Sequence, residues 1–114
     1  MKLTEIKNLL KADVMTKEGN LDQEVCSACG SDMMSDVLAY VKDQAVLLTG
    51  LVNAQVIRTA EMMDMRCVVF VRGKLPSEEI IKLADNCGIV IMATPYRMYE
   101  ACGILYSGGL CTDN

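Results

Sequence analysis

Three apolar runs stand at equal intervals in this sequence: Ala45-Val46-Leu47-Leu48-Thr49, Cys67-Val68-Val69-Phe70-Val71 and Ile89-Val90-Ile91-Met92-Ala93. Each run starts 22 residues after the previous one, and each is apolar without the alternation of a half-exposed strand. Short continuous runs that are rich in β-branched residues are typical of strands buried on both faces of a parallel sheet. The repeat therefore predicts three neighbouring parallel strands.

Helical patterns fill the gaps between these runs. Asn53 can cap a first helix, and Pro76-Ser77-Glu78-Glu79 suits the first turn of a second helix, which Gly88 ends. Residues 96–106 follow Thr94-Pro95 and predict a third helix. Three consecutive βα units imply right-handed crossovers and helices that cover the sheet.

The first 44 residues are less regular. They predict a short helix over residues 4–11, a strand over residues 12–16, a second strand over residues 22–28 that ends at Gly30, and a helix from Ser31-Asp32 to Val41. The expected fold is α/β and three-layered, with a mainly parallel sheet of about five strands, helices on both faces and the order α-β-β-α-β-α-β-α-β-α. We expect one domain over residues 1–114, in which residues 1–28 are the less regular part and residues 29–110 the core.

The composition limits the partners that we expect. The 114 residues carry a net charge of −4, and lysines and arginines are scattered, so we expect neither nucleic acid nor a membrane as a partner. No apolar stretch approaches the length of a membrane span, and the N-terminus lacks the apolar segment of a secretion signal. A cytoplasmic location is therefore expected. The chain has no histidine, the commonest general base and zinc ligand.

Cys26-Ser27-Ala28-Cys29 is a single CxxC motif in a chain with six cysteines. Two thiolates at this spacing can share a metal or an iron–sulfur cluster, or form a redox pair. A mononuclear zinc site needs about four ligands, and the other cysteines form no second CxxC. Buried or incidental thiols without a cofactor are the preferred interpretation, and an iron–sulfur or zinc site at Cys26 and Cys29 is the alternative.

The carboxyl ends of the predicted strands carry the candidate ligand-binding residues, which are Thr49, Gly50, Arg72, Gly73, Lys74 and Thr94. Ligands of open parallel sheets bind at this edge, where helix N-termini favour anions. A phosphate or nucleotide site is one interpretation, and the preferred alternative is that these residues only form tight βα turns. The sequence has no Walker motif, no GxSxG motif and no paired-carboxylate motif, so we expect no catalytic residue and no enzyme.

Two further groups of side chains stand at helical spacing. Ser31-Asp32 and Ser35-Asp36 are interpreted as a helix cap and a solvated helix face rather than as a hydroxyl–carboxylate catalytic pair. Tyr96, Tyr99 and Tyr106 lie near one stripe of the third predicted helix, which favours core or interface packing over base stacking.

Three segments resemble the DRTGG domain family. The first resembles the family's G-x-D-L-L-S-D-V-x-A helix and reads Gly30-Ser31-Asp32-Met33-Met34-Ser35-Asp36-Val37-Leu38-Ala39. The second resembles the family's glycine turn and next helix and reads Val71-Arg72-Gly73-Lys74-Leu75-Pro76-Ser77-Glu78-Glu79-Ile80. The third resembles the family's T-P-Y-x-x-F-E-x-A ending and reads Thr94-Pro95-Tyr96-Arg97-Met98-Tyr99-Glu100-Ala101. The family's aspartate–arginine pair is replaced by Leu51-Val52, and of its T-G-G turn only Gly73 remains.

The resemblance implies an α/β domain similar to the N-terminal domain of HPr kinase/phosphorylase. It implies a regulatory, dimerising module of the kind attached to phosphotransacetylases and CBS-domain pyrophosphatases, here as a stand-alone bacterial cytosolic accessory of the type encoded beside iron-only hydrogenase genes. We therefore expect a non-catalytic regulatory or interaction domain that forms a homodimer through residues 32–41 and exposed methionines and tyrosines. Its expected partners are a small anionic ligand or nucleotide and a protein of a hydrogenase or kinase system. A thiol-binding or metal-binding accessory protein that uses Cys26 and Cys29 is the alternative.

Overall fold

A computed structural model describes residues 1–17, 19–40 and 44–110, without the side chain of Tyr40. Helices and strands follow one another in the predicted order. The elements are α1 (Leu3–Leu9), β1 (Asp13–Val14), β2 (Ser27–Gly30), α2 (Met34–Tyr40), β3 (Ala45–Thr49), α3 (Ala54–Met62), β4 (Cys67–Phe70), α4 (Glu78–Cys87), β5 (Val90–Ala93) and α5 (Met98–Ser107).

The five strands form one sheet in the order β1-β5-β4-β3-β2. The four strands from β2 to β5 are parallel neighbours, and their register places Cys29, Leu47, Val68 and Ile91 in one row across the sheet. The two-residue strand β1 pairs antiparallel with β5 at the opposite edge from β2. The predicted α/β fold with a mainly parallel five-stranded sheet is confirmed.

Helices cover both faces of this sheet. Because β2, β3, β4 and β5 are adjacent in chain order, right-handed crossovers place α2, α3 and α4 on the same face. There they pack on side chains such as Leu47, Val68 and Ile91. The alternate side chains, such as Val46 and Val69, face α1 and α5 on the other side. Both layers are apolar, so the strands read as continuous apolar runs rather than as an alternating pattern.

Local capping accounts for the later helix boundaries. Asn53 Oδ1 accepts a hydrogen bond from Val56 N (3.1 Å), and Ser77 Oγ accepts one from Ile80 N (3.3 Å). Gly88 follows α4 with φ of 73°, a left-handed conformation that glycine adopts at low cost. The predicted cap at Asn53 and the predicted end at Gly88 are therefore confirmed, whereas Pro76 lies before the N-cap Ser77 instead of in the first turn of α4.

The start predicted for the second strand is wrong, whereas its predicted end at Gly30 is confirmed. The strand expected over residues 22–28 covers Ser27–Gly30, and the preceding segment pairs with the N-terminus instead of the sheet. Val25 N donates to Met1 O (2.9 Å), Leu3 N donates to Gln23 O (3.1 Å), and Lys2 forms an isolated bridge with Glu24. An extended segment is visible in the sequence, but its partner is set by tertiary packing.

The predicted second helix also begins later than expected, at Met34 instead of at Ser31-Asp32. Its predicted end, Val41, lies outside the described residues. Of its predicted apolar face, Met34 and Val37 are buried, whereas Met33 is 60% exposed and Leu38 44% exposed. Met34 and Val37 therefore join the core on this side of the sheet, and Met33 and Leu38 face solvent.

Candidate anion-binding site at the carboxyl edge of the sheet

The loops that follow β2, β3 and β4 converge on Gly50. Lys74 Nζ donates a hydrogen bond to Gly50 O (2.8 Å), which joins the β4 loop to the β3 loop. The Arg72 guanidinium lies against the same residue, because a Cβ built on Gly50 would be 2.7 Å from Arg72 Nη2. Gly50 itself is buried, so a glycine here allows the close approach of an arginine head group.

A tight turn after β4 positions the side chains of Arg72 and Lys74. Arg72 and Gly73 both have left-handed φ angles, 63° and 69°. Arg72 N donates to Tyr96 O (2.7 Å) and Gly73 N donates to Thr94 O (2.9 Å), so the β5 loop holds the turn in place. A left-handed arginine costs free energy, and such residues persist where surrounding contacts fix them. The turn thus positions the Arg72 side chain at the edge of the sheet.

Asp32 fastens the β2 loop to the β3 loop. Its Oδ1 accepts hydrogen bonds from Gly50 N (2.7 Å) and from Thr49 Oγ1 (3.1 Å). The helix cap predicted for Ser31-Asp32 is therefore wrong: Ser31 Oγ accepts from Met33 N (3.0 Å) in a local turn, and Asp32 makes a contact 18 residues away. No short-range sequence pattern predicts this contact. The only signal is the position of Asp32, between the carboxyl end of a strand and the start of a helix.

The two threonines among the predicted ligand-binding residues, Thr49 and Thr94, are buried, and their hydroxyls form hydrogen bonds within the protein. Thr49 Oγ1 also accepts from Leu51 N (3.1 Å). Thr94 Oγ1 donates to Leu10 O (2.7 Å) and accepts from Tyr96 N (3.3 Å). These hydroxyls position loops. The ligand role predicted for Thr49 and Thr94 stays a prediction, and the groups that solvent reaches directly are Arg72, Gly73 and Lys74.

A shallow cleft of about 460 Å³ lies beside this cluster. It is lined by Gly30, Ser31, Asp32, Val71, Arg72, Arg97, Met98 and Tyr99. The cleft therefore lies between the β2 loop, the β4 turn and the first residues of α5. The helix α5 packs closely there, since a Cβ on Gly30 would be 2.7 Å from Cys102 Sγ.

The cations at this edge have no carboxylate partner within the described ranges. Within those ranges, one pair of oppositely charged side chains has a nitrogen–oxygen distance of 4.0 Å or less, and it joins Arg66 to Asp64, which do not line the cleft. Arg72, Lys74 and Arg97 are thus exposed positive charges without such a partner in the part of the chain that the structure describes. Guanidinium and ammonium groups in this arrangement can bind an anion through charge-assisted hydrogen bonds.

The two thiols of the CxxC motif, Cys26 and Cys29, lie on opposite faces of their segment. Cys26 is exposed and its Sγ donates to Gln44 Oε1 (3.0 Å). Cys29 is half-buried, and its pKa is raised by burial, by Cys102 and by Asp36. Positions three apart in an extended segment lie on opposite faces. No group of three or more acidic or cysteine side chains that could hold a metal occurs in residues 1–17, 19–40 and 44–110.

The other cysteines that the structure describes, Cys67, Cys87 and Cys102, pack with the apolar core. Burial raises the pKa of Cys67 to about 12, and burial also raises the pKa of Cys102 and, together with Glu61, that of Cys87. Such thiols stay protonated and are poor nucleophiles and poor metal ligands as they stand. Cys111 lies outside the described residues. The iron–sulfur or zinc site at Cys26 and Cys29 stays a prediction.

The three tyrosine side chains near α5 do not share one environment, although core or interface packing was predicted for all of them. Tyr96 is half-buried against the core, whereas Tyr99 is 90% exposed and Tyr106 61% exposed. The prediction of core packing is therefore wrong for Tyr99 and Tyr106, because α5 presents these positions to solvent. Their predicted role in an interface stays a prediction.

Taken together, the fold and the cleft define a three-layer α/β domain with a positively charged loop edge. The chain belongs to the DRTGG domain family, whose sequence profile matches residues 5–107. No curated protein sequence matches the chain. Within the described residues, no helix is long and apolar enough to cross a membrane.

A solved structure with the same fold is that of the CBS and DRTGG domains from the regulatory region of Clostridium perfringens pyrophosphatase, complexed with its activator, diadenosine tetraphosphate. The TM-score is 0.77 and the sequence identity 18%, over 99% of this chain. The likeness shows the fold. The match covers 51% of that chain, so this chain spans about half of its length.

Proposed function

We propose that this protein is a non-catalytic regulatory domain that binds a small anionic ligand, such as a nucleotide, at the carboxyl edge of its sheet. The observation that carries this proposal is the convergence of Arg72 and Lys74 on Gly50. Neither cation has a carboxylate within 4.0 Å in the described ranges, so a ligand anion would supply the missing charge. Loops at this edge of a parallel sheet are the usual place for such ligands.

The family supports a regulatory rather than a chemical role. The domain of similar fold in the Clostridium perfringens pyrophosphatase belongs to a regulatory region, and that protein was crystallised with a polyanionic activator. Two threonine hydroxyls lie at this edge of the sheet, those of Thr49 and Thr94, and both are engaged in internal hydrogen bonds. The chain has no histidine to activate a nucleophile. The edge can hold an anion without transforming it.

The test is thermal unfolding of the full chain with inorganic phosphate, pyrophosphate, acyl phosphates and nucleotides. A ligand at one hundred times its Kd stabilises the folded state by about 2.7 kcal/mol, which raises the melting temperature measurably. The double variant R72Q/K74Q is expected to lose this rise. The matched double variant R58Q/K82Q removes two other exposed cations and is expected to keep it. An unchanged melting temperature with every anion, or an equal loss in both variants, contradicts the proposal.

The proposal extends to assembly and partners. A cytoplasmic homodimer that serves a hydrogenase or kinase system would use exposed apolar side chains outside the cleft, and Met33, Leu38 and Tyr106 provide them. Sedimentation equilibrium at micromolar concentration tests the homodimer. A monomer at all concentrations contradicts that part of the proposal, and a dimer that L38E dissociates supports the surface at residues 32–41.

Thiol or metal binding at Cys26 and Cys29 is the second candidate, supported by the exposure of Cys26 on an edge of the sheet. Its remaining ligands would come from a second molecule, because the described residues hold no cluster of three. Anaerobic purification, metal analysis and a visible spectrum test it. Bound iron or zinc that C26A abolishes supports this candidate, and a colourless, metal-free, folded protein contradicts it.

A further inference from the structure

We infer that the cleft at the start of α5 takes a nucleoside phosphate as one unit: the phosphate on Arg72 and Arg97, the ribose on Asp32 and the base on Tyr99. This inference rests on the proposed anion site, with which it shares Arg72. It adds a second cation, a hydroxyl acceptor and an aromatic surface, each supplied by a different segment around the same cleft of about 460 Å³. That volume lies within the range of small-molecule sites.

The phosphate end is defined by two arginines from separate elements. Arg72 comes from the left-handed turn after β4, and Arg97 directly precedes α5, a ten-residue helix. Both line the cleft, and neither has a carboxylate within 4.0 Å in the described ranges. Guanidinium groups bind phosphate oxygens through two parallel hydrogen bonds, and the positive end of α5 adds to their field.

The ribose position follows from how Asp32 uses its two oxygens. Oδ1 accepts from both Gly50 N and Thr49 Oγ1, which fixes the side chain. No residue in the described ranges donates a hydrogen bond to Oδ2, although Asp32 lines the cleft and an ionised carboxylate accepts at both oxygens. A fixed carboxylate at the loop edge of a parallel sheet is a suitable acceptor for sugar hydroxyls.

The base position is the Tyr99 ring. This ring is 90% exposed, whereas Tyr96, in the loop before α5, is half-buried against the core. Tyr99 also lines the cleft that holds both arginines. An exposed ring at the mouth of a charged cleft gives a base a flat apolar surface, and stacking on it is tolerant of base identity.

Calorimetry on the full chain compares pyrophosphate with ADP, which carries the same diphosphate group plus a nucleoside. We expect ADP to bind at least about fivefold more tightly than pyrophosphate, the lower end of the gain from stacking one base on an aromatic ring. Y99A is expected to remove this gain and to leave pyrophosphate affinity unchanged. Y106A removes the other exposed tyrosine of α5, which does not line the cleft, and is expected to change neither affinity.

The ribose contact is tested without altering Asp32, because that residue also holds Gly50. ADP that lacks the 2′ and 3′ hydroxyls is expected to bind less tightly than ADP. If ADP binds no more tightly than pyrophosphate, or if Y99A binds ADP as the wild type does, the inference is overturned while the anion site stands. If neither compound binds, the inference and the proposed function fail together.

Discussion

Replacing Asp32 by alanine should destabilise the protein far more than an exposed aspartate normally would. Asp32 Oδ1 accepts two hydrogen bonds, from Gly50 N at 2.7 Å and Thr49 Oγ1 at 3.1 Å. Gly50 and Thr49 are buried, so the substitution leaves two donors without a partner. Each hydrogen bond to a charged group contributes about 1.5–3 kcal/mol, and solvent around the exposed carboxylate reduces the sum. We expect a loss of about 3 kcal/mol.

The assay is urea unfolding of wild type, D32A and D32N. Asparagine keeps an acceptor oxygen but loses the charge, so D32N should lose about 1 kcal/mol. Amide exchange at Gly50 gives a second measurement, since its N–H should exchange faster in D32A. D22A replaces an exposed turn aspartate and should stay within about 0.5 kcal/mol of wild type. A D32A loss no larger than that of D22A, with unchanged exchange at Gly50, would refute the role assigned to Asp32.

Three further predictions concern the loops and the core. Thr94→Val keeps the side-chain shape but leaves Leu10 O without its 2.7 Å donor, so urea unfolding should show a loss of about 1–2 kcal/mol. Gly50→Ala should change stability by less than about 1 kcal/mol because the obstructing atom ends a flexible Arg72 side chain, yet calorimetry should find weaker pyrophosphate binding. Burial raises the pKa of Cys67 to about 12 in the folded protein, against 9.0 for an unperturbed thiol. Raising the pH from 8 to 10 therefore ionises this thiol in the unfolded chain but not in the folded one. The free energy of unfolding should fall by about 1 kcal/mol more in wild type than in C67A. Equal pH dependence in the two proteins would contradict that assignment.

The sequence predicted most of the sheet because its strands are apolar on both sides. The run Ala45–Thr49 is one complete strand, and the two later runs each lose one residue at an end. Apolar runs of this kind can be satisfied only between two helical layers, so sequence and tertiary packing agree. The strand expected at residues 22–28 had no such signal, and residues 23–25 pair with residues 1–3, far away in the chain, instead of with the sheet.

The candidate site was predicted only in part. Arg72, Gly73 and Lys74 follow directly from the rule that ligands bind at the carboxyl ends of parallel strands. Asp32 was misinterpreted as a helix cap because its partners lie in the next βα loop, which local patterns do not reveal. Arg97 was not among the predicted ligand-binding residues, and Tyr99 was interpreted as a packing residue, because only the packing of α5 brings both to the cleft.

The most direct test of the anion site is a pair of ¹H–¹⁵N correlation spectra, recorded with and without pyrophosphate. Gly50 and Gly73 give two probes within the site, because their amides lie beside Arg72 and Lys74. We expect concentration-dependent shifts at these amides and at Arg72, Lys74 and Arg97, with none in R72Q/K74Q. Saturable shifts confined to another surface, or none at millimolar pyrophosphate, would contradict it.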